Sequence, residues 1–193
     1  MKYYEIDIYE RHSEDYCVID RPPEEIHTLS SYIMKGRSAL QKYPDNVVAK
    51  MSDRFSGRVC TDFIANRELS LIVSERVKDV IAEHCSDDVE YLSLSIMNHK
   101  KRIEEGKFYY INPIGSEDVL DYDTSDIVLS SDNKVIKVRT FVFDQKKLGE
   151  MPKHLFRVKE WPKKYFMSEY LVNKINNEID DVQNFNTILV KTV

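Results

Sequence analysis

Acidic side chains are the residues of this sequence whose types and spacing most directly suggest chemistry. The segment 116–126, SEDVLDYDTSD, carries five carboxylates and no basic residue. The candidate partner-binding residues in it are Glu117, Asp118, Asp121, Asp123 and Asp126, together with Tyr122. Clustered carboxylates attract a cationic surface over long range. We therefore predict that this segment binds a basic partner. A solvated acidic turn without a partner is the alternative.

The same segment only partly matches a calcium-binding loop. Asp121 and Asp123 stand at the first two ligand positions of such a loop. Asp126 occupies the position that requires glycine, and Asp132 stands where the final glutamate ligand belongs. These two departures remove the sharp turn and the bidentate ligand, so we predict no calcium site.

Motifs of enzymes are scarce in this sequence. Neither the glycine-rich phosphate-binding patterns nor the nucleophile elbow occurs. The histidines, which show no zinc-ligand spacing, are His12, His27, His84, His99 and His154. The neighbours His84 and Cys85 would point about 100° apart on a helix and so would not chelate one ion. Asp62, Glu68 and Glu75 would serve a hydrolase only by converging in one cleft. We predict no catalytic residue, no cofactor and no metal.

Composition and charge indicate a globular protein that does not bind nucleic acid or membrane directly. Its 193 residues are 42% hydrophobic and 32% charged, with a formal net charge of −5. A nucleic-acid binder normally carries a basic footprint. The three scattered cysteines are typical of reduced thiols in the cytosol. No signal-peptide region and no apolar run of ~20 residues occurs, so we expect a cytoplasmic protein.

One basic segment, 146–166, leaves a nucleic-acid alternative open. It interleaves lysines and arginines with Phe156, Trp161, Tyr165 and Phe166, which could stack on bases. A strand edge protected by lysines explains the same residues more simply. We therefore do not predict single-strand binding.

Two stretches of the sequence share one pattern, and we expect them to form a large part of the fold. LIVSERVKDVIAEH (71–84) and YFMSEYLVNKINNE (165–178) each consist of an apolar run, Ser-Glu and helix-spaced apolar residues. Ser74 and Ser168 are predicted N-caps, whose hydroxyls would accept a hydrogen bond from a backbone N–H. Residues 86–88 are predicted to end the first helix. Strands follow each helix, so we predict a repeated strand–helix–strand unit, with two unrelated capped helices as the alternative.

Alternating polarity predicts the remaining strands. Residues 2–10 suggest a strand with one buried face, and residues 107–144 suggest a β-meander between the two units. A helix is expected over 23–36, between a proline near its start and a glycine past its end. The predicted class is α+β, with a mostly antiparallel sheet, about three helices and two similar strand–helix–strand units flanking a β-meander.

We divide the chain at the end of the N-terminal strands and helix. Residues 1–55 would pack on a main α+β domain formed by residues 56–193, and together they would make one compact unit.

Three stretches in chain order resemble a known protein family. They are TDFIANRELSLIVSERVKDVI (61–81), YYINPIGSEDVLD (109–121) and LFRVKEWPKKYFMSEYLVNKI (155–175). They resemble immunity protein family 11 of bacterial polymorphic toxin systems. The matching positions are Asp62, Phe63, Ile64, Asn66, Val73, Ser74, Glu75, Tyr109, Tyr110, Ile111, Asn112, Phe156, Arg157, Lys159, Ser168 and Glu169. The resemblance covers roughly residues 55–190, and most of the shared residues are core and cap residues.

This resemblance implies a cytoplasmic α+β immunity protein, not an enzyme, that binds and neutralises a cognate toxin effector. HNH-type nucleases are among the toxins of such systems, and a nuclease surface is basic because it must hold phosphates. An acidic inhibitor would complement that charge. Two other functions stay open from the residues alone: a regulatory or scaffold domain that forms a homodimer through its tyrosine-rich strands, and a hydrolase with dispersed carboxylates.

Overall fold

The computed structural model describes residues 1–85 and 88–193, so Ser86 and Asp87, where the first helix was predicted to end, lie outside the described residues. The strands are β1 (Tyr3–Ile6), β2 (Val18–Ile19), β3 (Val48–Lys50), β4 (Ala65–Asn66), β5 (Leu71–Ser74), β6 (Val89–Met97), β7 (Phe108–Pro113), β8 (Asp126–Leu129), β9 (Val135–Thr140), β10 (Val142–Phe143), β11 (Leu155–Val158), β12 (Trp161–Ser168) and β13 (Thr187–Thr192). The α-helices are α1 (Ser30–Ile33), α2 (Glu75–His84), α3 (Gln145–Gly149) and α4 (Glu169–Glu178). The predicted α+β class is confirmed.

A five-stranded sheet has the order β10-β13-β1-β12-β11, and a four-stranded sheet has the order β3-β6-β7-β5. β2 pairs with β4, and β8 pairs with β9 as a separate antiparallel hairpin. The segment 107–144 therefore supplies the predicted strands, but to three sheets rather than to one meander. The reason is that β7 lies between β5 and β6, whereas β10 pairs with the C-terminal strand β13.

The two similar sequence stretches form the same supersecondary unit. β5 and β6 both pair antiparallel with β7, and β12 and β13 both pair antiparallel with β1. In each unit a ten-residue helix connects two strands that are separated by one antiparallel strand. The strand register agrees as well. Ser74 pairs with Phe108, the first residue of β7, and Ser168 pairs with Tyr3, the first residue of β1. The predicted repeat is therefore a repeat of topology as well as of sequence.

One apolar core lies between the two units, and each sheet has a second core on its other face. The shared core contains residues of α2, α4 and both sheets, for example Val77, Ile175 and Ile111. The N-terminal segment covers the far face of the four-stranded sheet, and aromatic residues cover the far face of the five-stranded sheet. Tyr3 and Ile6 of β1 consequently enter different cores. The prediction of one buried face for this strand is wrong, because β1 is central in its sheet.

The predicted helix over 23–36 is also wrong in part. A short 3-10 turn (Glu24–Ile26) and the single-turn helix α1 replace it. The chain then leaves α1 at Gly36, whose φ is +65°. A Cβ atom there would lie 2.6 Å from the carbonyl oxygen of Gly115 and 3.0 Å from Cδ of Arg157. The turn after α1 therefore requires a glycine, because the backbone there packs closely against a buried arginine.

That arginine, Arg157 of β11, is fully buried and connects four parts of the chain. Its guanidinium donates hydrogen bonds of 2.5–3.2 Å to the carbonyl oxygens of Ile33, Met34, Pro113 and Pro162, to Oδ1 of Asn112 and to the hydroxyl of Tyr165. The Tyr165 ring also lies 4.1 Å from the guanidinium carbon. All donor nitrogens are thus satisfied, as a buried charge requires.

A carboxylate compensates this buried charge through an intervening amide. Among the described residues no carboxylate forms an ion pair with Arg157 directly. Asn112 accepts from Arg157 and donates to Oε2 of Glu90 at 2.9 Å. Glu90 in turn accepts from the backbone N–H of Ala39 and from the hydroxyl of Ser38. Burial raises the pKa of Glu90, but these hydrogen bonds outweigh it and lower the pKa overall. Glu90 is therefore ionised.

The predicted division into residues 1–55 and 56–193 stays a prediction. Within the described ranges, none of the helices has the length and apolar character needed to cross a membrane.

Replacing the buried guanidinium tests its role in the fold. We expect Arg157→Met to lower the free energy of unfolding by about 3–5 kcal/mol, because several buried carbonyls lose their donors. Arg157→Lys should recover only part of this loss, since an ammonium group cannot reach all of the acceptors. Urea denaturation measures both effects.

Arg139→Met is the matched control. This side chain is 60% exposed and lies 3.8 Å from Asp126, so its loss should change stability by no more than about 0.5 kcal/mol. A similar loss in the Arg157 and Arg139 variants would contradict the proposed role of Arg157.

Candidate functional site

A cleft of about 330 Å³ lies where the two units meet. The C-terminal end of α2, the end of β7 and the start of β11 form its walls. Its polar lining includes His84, Asp88, Glu117, Lys153 and His154. The volume falls at the lower end of the range of ligand pockets. This cleft joins residues that are far apart in sequence.

Negative charge exceeds positive charge among the accessible groups of this cleft. Nζ of Lys153 lies 2.9 Å from Oε1 of Glu117 and 3.2 Å from Oδ2 of Asp88, so two carboxylates share one ammonium group. Glu83 adds a further carboxylate to the lining. The Arg157 guanidinium also lines the cleft, but its donors are already occupied by the protein. The cleft therefore favours a cationic group.

His154 forms a contact that the sequence did not predict. Its Nδ1 lies 2.8 Å from Oγ of Ser168, which resembles the pair of nucleophile and base in hydrolases. Ser168, however, is fully buried, and its hydroxyl accepts a hydrogen bond from the backbone N–H of Leu171 at 3.3 Å. Burial lowers the pKa of His154, so its imidazole is neutral at pH 7. The pair holds a helix cap, as predicted for Ser168, and leaves a substrate no access to the hydroxyl.

Ser74 occupies the predicted N-cap position, but its hydroxyl has a different partner. No side-chain cap bond forms at α2. Instead, the Ser74 hydroxyl donates to Oδ1 of Asp62 at 2.7 Å. The prediction of a capping hydroxyl is wrong here because the Ser74 side chain is oriented toward the buried carboxylate of Asp62, which needs donors.

Asp62 connects helix α2 to the loop before β13. Only 3% of the residue is exposed. It accepts hydrogen bonds from Nε of Arg76 at 2.6 Å and from the backbone N–H of Gln183 at 2.8 Å, in addition to Ser74. Burial raises the pKa of Asp62, but these donors outweigh that effect and lower it. An ionised carboxylate with all of these donors stabilises structure and is unsuited to proton transfer.

The carboxylates of the hydrolase alternative do not converge. The hydroxyl of Tyr109 lies 3.3 Å from Oε1 of Glu75, and that of Tyr110 lies 3.5 Å from Oε2 of Glu68. Tyr109 and Tyr110 are consecutive in β7, so they point to opposite faces of the sheet. Glu68 and Glu75 are therefore separated by the sheet. This arrangement gives the hydrolase reading no support.

Glu68 is nevertheless an unusual group. The residue is 6% exposed, and its Oε1 has no hydrogen-bond partner within the described part of the chain. Burial raises its pKa to about 8, against a small lowering by the Tyr110 hydroxyl. The next residue, Leu69, has a φ of +57°, so the turn that buries Glu68 is itself strained.

The predicted partner-binding residues lie on the surface, but bases of the same chain balance much of their charge. Glu117 pairs with Lys153, Asp118 pairs with Lys147 at 2.8 Å and Lys159 at 3.7 Å, and Asp126 lies 3.8 Å from Arg139. Asp121 accepts from the backbone N–H of Thr124 at 2.9 Å and from its hydroxyl at 2.6 Å. The long-range attraction inferred from sequence is accordingly smaller, because the sequence did not show which bases fold against the segment.

Two residues of the segment stay available at the surface. Tyr122 is 52% exposed, and its hydroxyl donates to Oε1 of Glu160 at 2.7 Å. Asp123 is exposed as well. Of the six predicted residues, only Glu117 lines the cleft. The segment and the cleft are thus neighbouring surfaces that meet at Glu117.

The buried carboxyl of Glu68 generates a prediction about pH. Its pKa is about 8 in the folded protein and near the ordinary 4.5 in the unfolded chain, so stability falls as pH rises from about 4.5 to 8. We expect Glu68→Gln to be more stable than the wild type at pH 8, by on the order of 4 kcal/mol, and equally stable at pH 4. Urea denaturation at both pH values measures this.

Glu75→Gln is the control, because that carboxylate is half exposed and pairs with Lys107 at 3.0 Å. It should not gain stability at pH 8. An unchanged pH dependence in Glu68→Gln would refute the assignment of a protonated buried carboxyl.

Comparison with known proteins places the whole chain in one family. The model of the immunity protein family (Imm11) matches residues 2–191. No curated protein matches the chain. The match extends the resemblance seen in residues 55–190 to the N-terminus, in keeping with the position of β1 in the centre of the five-stranded sheet. The chain therefore belongs to the Imm11 family of immunity proteins.

Proposed function

We propose that this protein neutralises a cognate bacterial toxin by direct protein–protein contact in the cytoplasm. The observation that carries the proposal is the family match over residues 2–191, which gives the chain an immunity function. An inhibitor of this kind requires a stable binding surface and no catalytic step. The separation of Glu68 from Glu75 and the inaccessible Ser168 hydroxyl agree with a role that is not enzymatic.

The toxin-binding surface that we propose is the segment 116–126. Tyr122 is its exposed aromatic side chain, and tyrosine is among the residues that most often dominate interface energies. A basic toxin, such as an HNH-type nuclease of a polymorphic toxin system, could exchange partners with the ion pairs of Asp118. Because these charges are already balanced, affinity would depend on Tyr122 and local contacts more than on long-range attraction.

Coexpression tests the proposed function. The protein encoded immediately upstream should harm cells when it is expressed alone, and this chain should restore growth and copurify with it. If the upstream protein neither binds nor harms cells, that protein is not the cognate toxin. The same assay with other candidate toxins of the genome then decides whether the immunity role fails altogether.

A substitution at the segment tests the proposed surface. We expect Tyr122→Ala to weaken binding of the copurifying toxin at least tenfold, mainly through faster dissociation. Its stability should be unchanged because the side chain is half exposed. Biolayer interferometry measures the rates.

Two charge reversals complete this test. Asp123→Lys should weaken binding to a basic toxin, whereas Asp53→Lys, on another exposed aspartate, should leave it unchanged. Wild-type affinity in Tyr122→Ala and Asp123→Lys would show that the toxin binds elsewhere, even if the immunity function itself is correct.

A further inference from the structure

We propose that the C-terminal ends of α2 and α4 form a binding site for a divalent transition-metal ion, with Zn²⁺ as the best-suited ion. The ligands would be Glu83, His84 and Glu178. One donor atom from each of these residues lies within 4.8 Å of the others. The site is independent of the immunity function, because it follows from the packing of two helices.

The distance between His84 and Glu178 needs little adjustment to hold an ion. Nε2 of His84 lies 3.0 Å from Oε1 of Glu178. In a tetrahedral zinc site with bonds of about 2.1 Å, two ligand atoms lie about 3.4 Å apart. An increase of a few tenths of an ångström in the distance between these two atoms would therefore make room for the ion. Glu83 precedes His84 on α2, but its longer side chain still brings a carboxylate oxygen within 4.8 Å of the other two donor atoms.

Both helices favour a cation at this place. α2 ends at His84 and α4 ends at Glu178. The carbonyl groups at a helix C-terminus carry a partial negative charge, and here two such ends converge. Lys174, with Nζ 3.1 Å from Oε1 of Glu178, is the cation that an ion would displace.

His84 is positioned as a metal-binding histidine is. Its side chain is only 10% exposed, and its Nδ1 lies 3.2 Å from the hydroxyl of Tyr170. Histidines that bind metals generally use their second ring nitrogen in such a hydrogen bond, which fixes the orientation of the ring. The Tyr170 ring also packs edge-on against the imidazole, with centroids 5.6 Å apart. Nε2 therefore points to the Glu178 carboxylate without reorganisation.

The ligand set indicates both the ion and the access to it. One imidazole nitrogen with carboxylate oxygens suits zinc and similar ions better than calcium or magnesium, which prefer oxygen ligands alone. Three protein ligands leave a fourth position open in a tetrahedral site. Glu83 and His84 also line the cleft of 330 Å³, so that position is accessible from the cleft. Water or a side chain of a bound protein could fill it.

Calorimetric titration of the full-length protein with Zn²⁺ in a buffer free of chelators tests the site. We expect one ion per chain. His84→Ala and Glu178→Gln should each weaken binding at least tenfold, and Tyr170→Phe should weaken it about tenfold through the lost orientation of the imidazole. Lys174→Met should tighten binding, because it removes the competing ammonium group.

His99→Ala is the matched control, since His99 contacts Gly57 and Asp53 and lies outside the ligand set. It should bind Zn²⁺ as the wild type does. No binding by the wild type at 100 μM free ion (roughly the weak limit for a structured site) would overturn the proposal. Equal binding by wild type and His84→Ala would overturn it too. The gain in Lys174→Met cannot come from unfolding, so it separates a true site from a loss of structure.

Discussion

The buried guanidinium of Arg157 is the interaction on which the arrangement of the two units depends. It belongs to an edge strand of the five-stranded sheet, yet it binds the carbonyl of Pro113 at the end of β7 in the other sheet and two carbonyls at α1. A buried charge is costly unless every donor is satisfied. Here backbone carbonyl oxygens accept hydrogen bonds from the guanidinium. Asn112 accepts another and itself donates to the carboxylate of Glu90. The network therefore specifies how the sheets meet as well as stabilising them.

The repeated units explain where the functional surfaces lie. Each unit places a helix over two parallel strands with one antiparallel strand between them, and the two helices pack in one core. His84 and Glu178, the last residues of the two helices, hold equivalent positions 94 residues apart and contact each other. The cleft lies beside this contact, since His84 also lines it. A site at such a boundary can respond to a partner that touches both units.

In the folded protein, lysines of the same chain pair with carboxylates of the acidic segment 116–126 and reduce its net charge. In sequence it carries five carboxylates without a base, whereas in the structure Lys147, Lys153 and Lys159 approach from the α3–β11 region. Those lysines come from the basic stretch that suggested a nucleic-acid surface. The two charged segments neutralise each other in large part, which removes much of the reason to assign either one a long-range electrostatic role. What stays exposed is an aromatic residue, Tyr122, beside Asp123.

The sequence by itself determined the two ten-residue helices and the family. The spacing of Val77 and Ile81, and of Leu171 and Ile175, encodes the two helices because side chains three or four residues apart share one helical face. Only the tertiary structure decided that β1 lies in the centre of its sheet. It also decided three side-chain hydrogen bonds, which are Ser168 with His154, Ser74 with Asp62, and His84 with Glu178. These contacts join distant parts of the chain. Local periodicity reports which face of an element is buried, but a pairing of distant polar groups depends on the path of the whole chain.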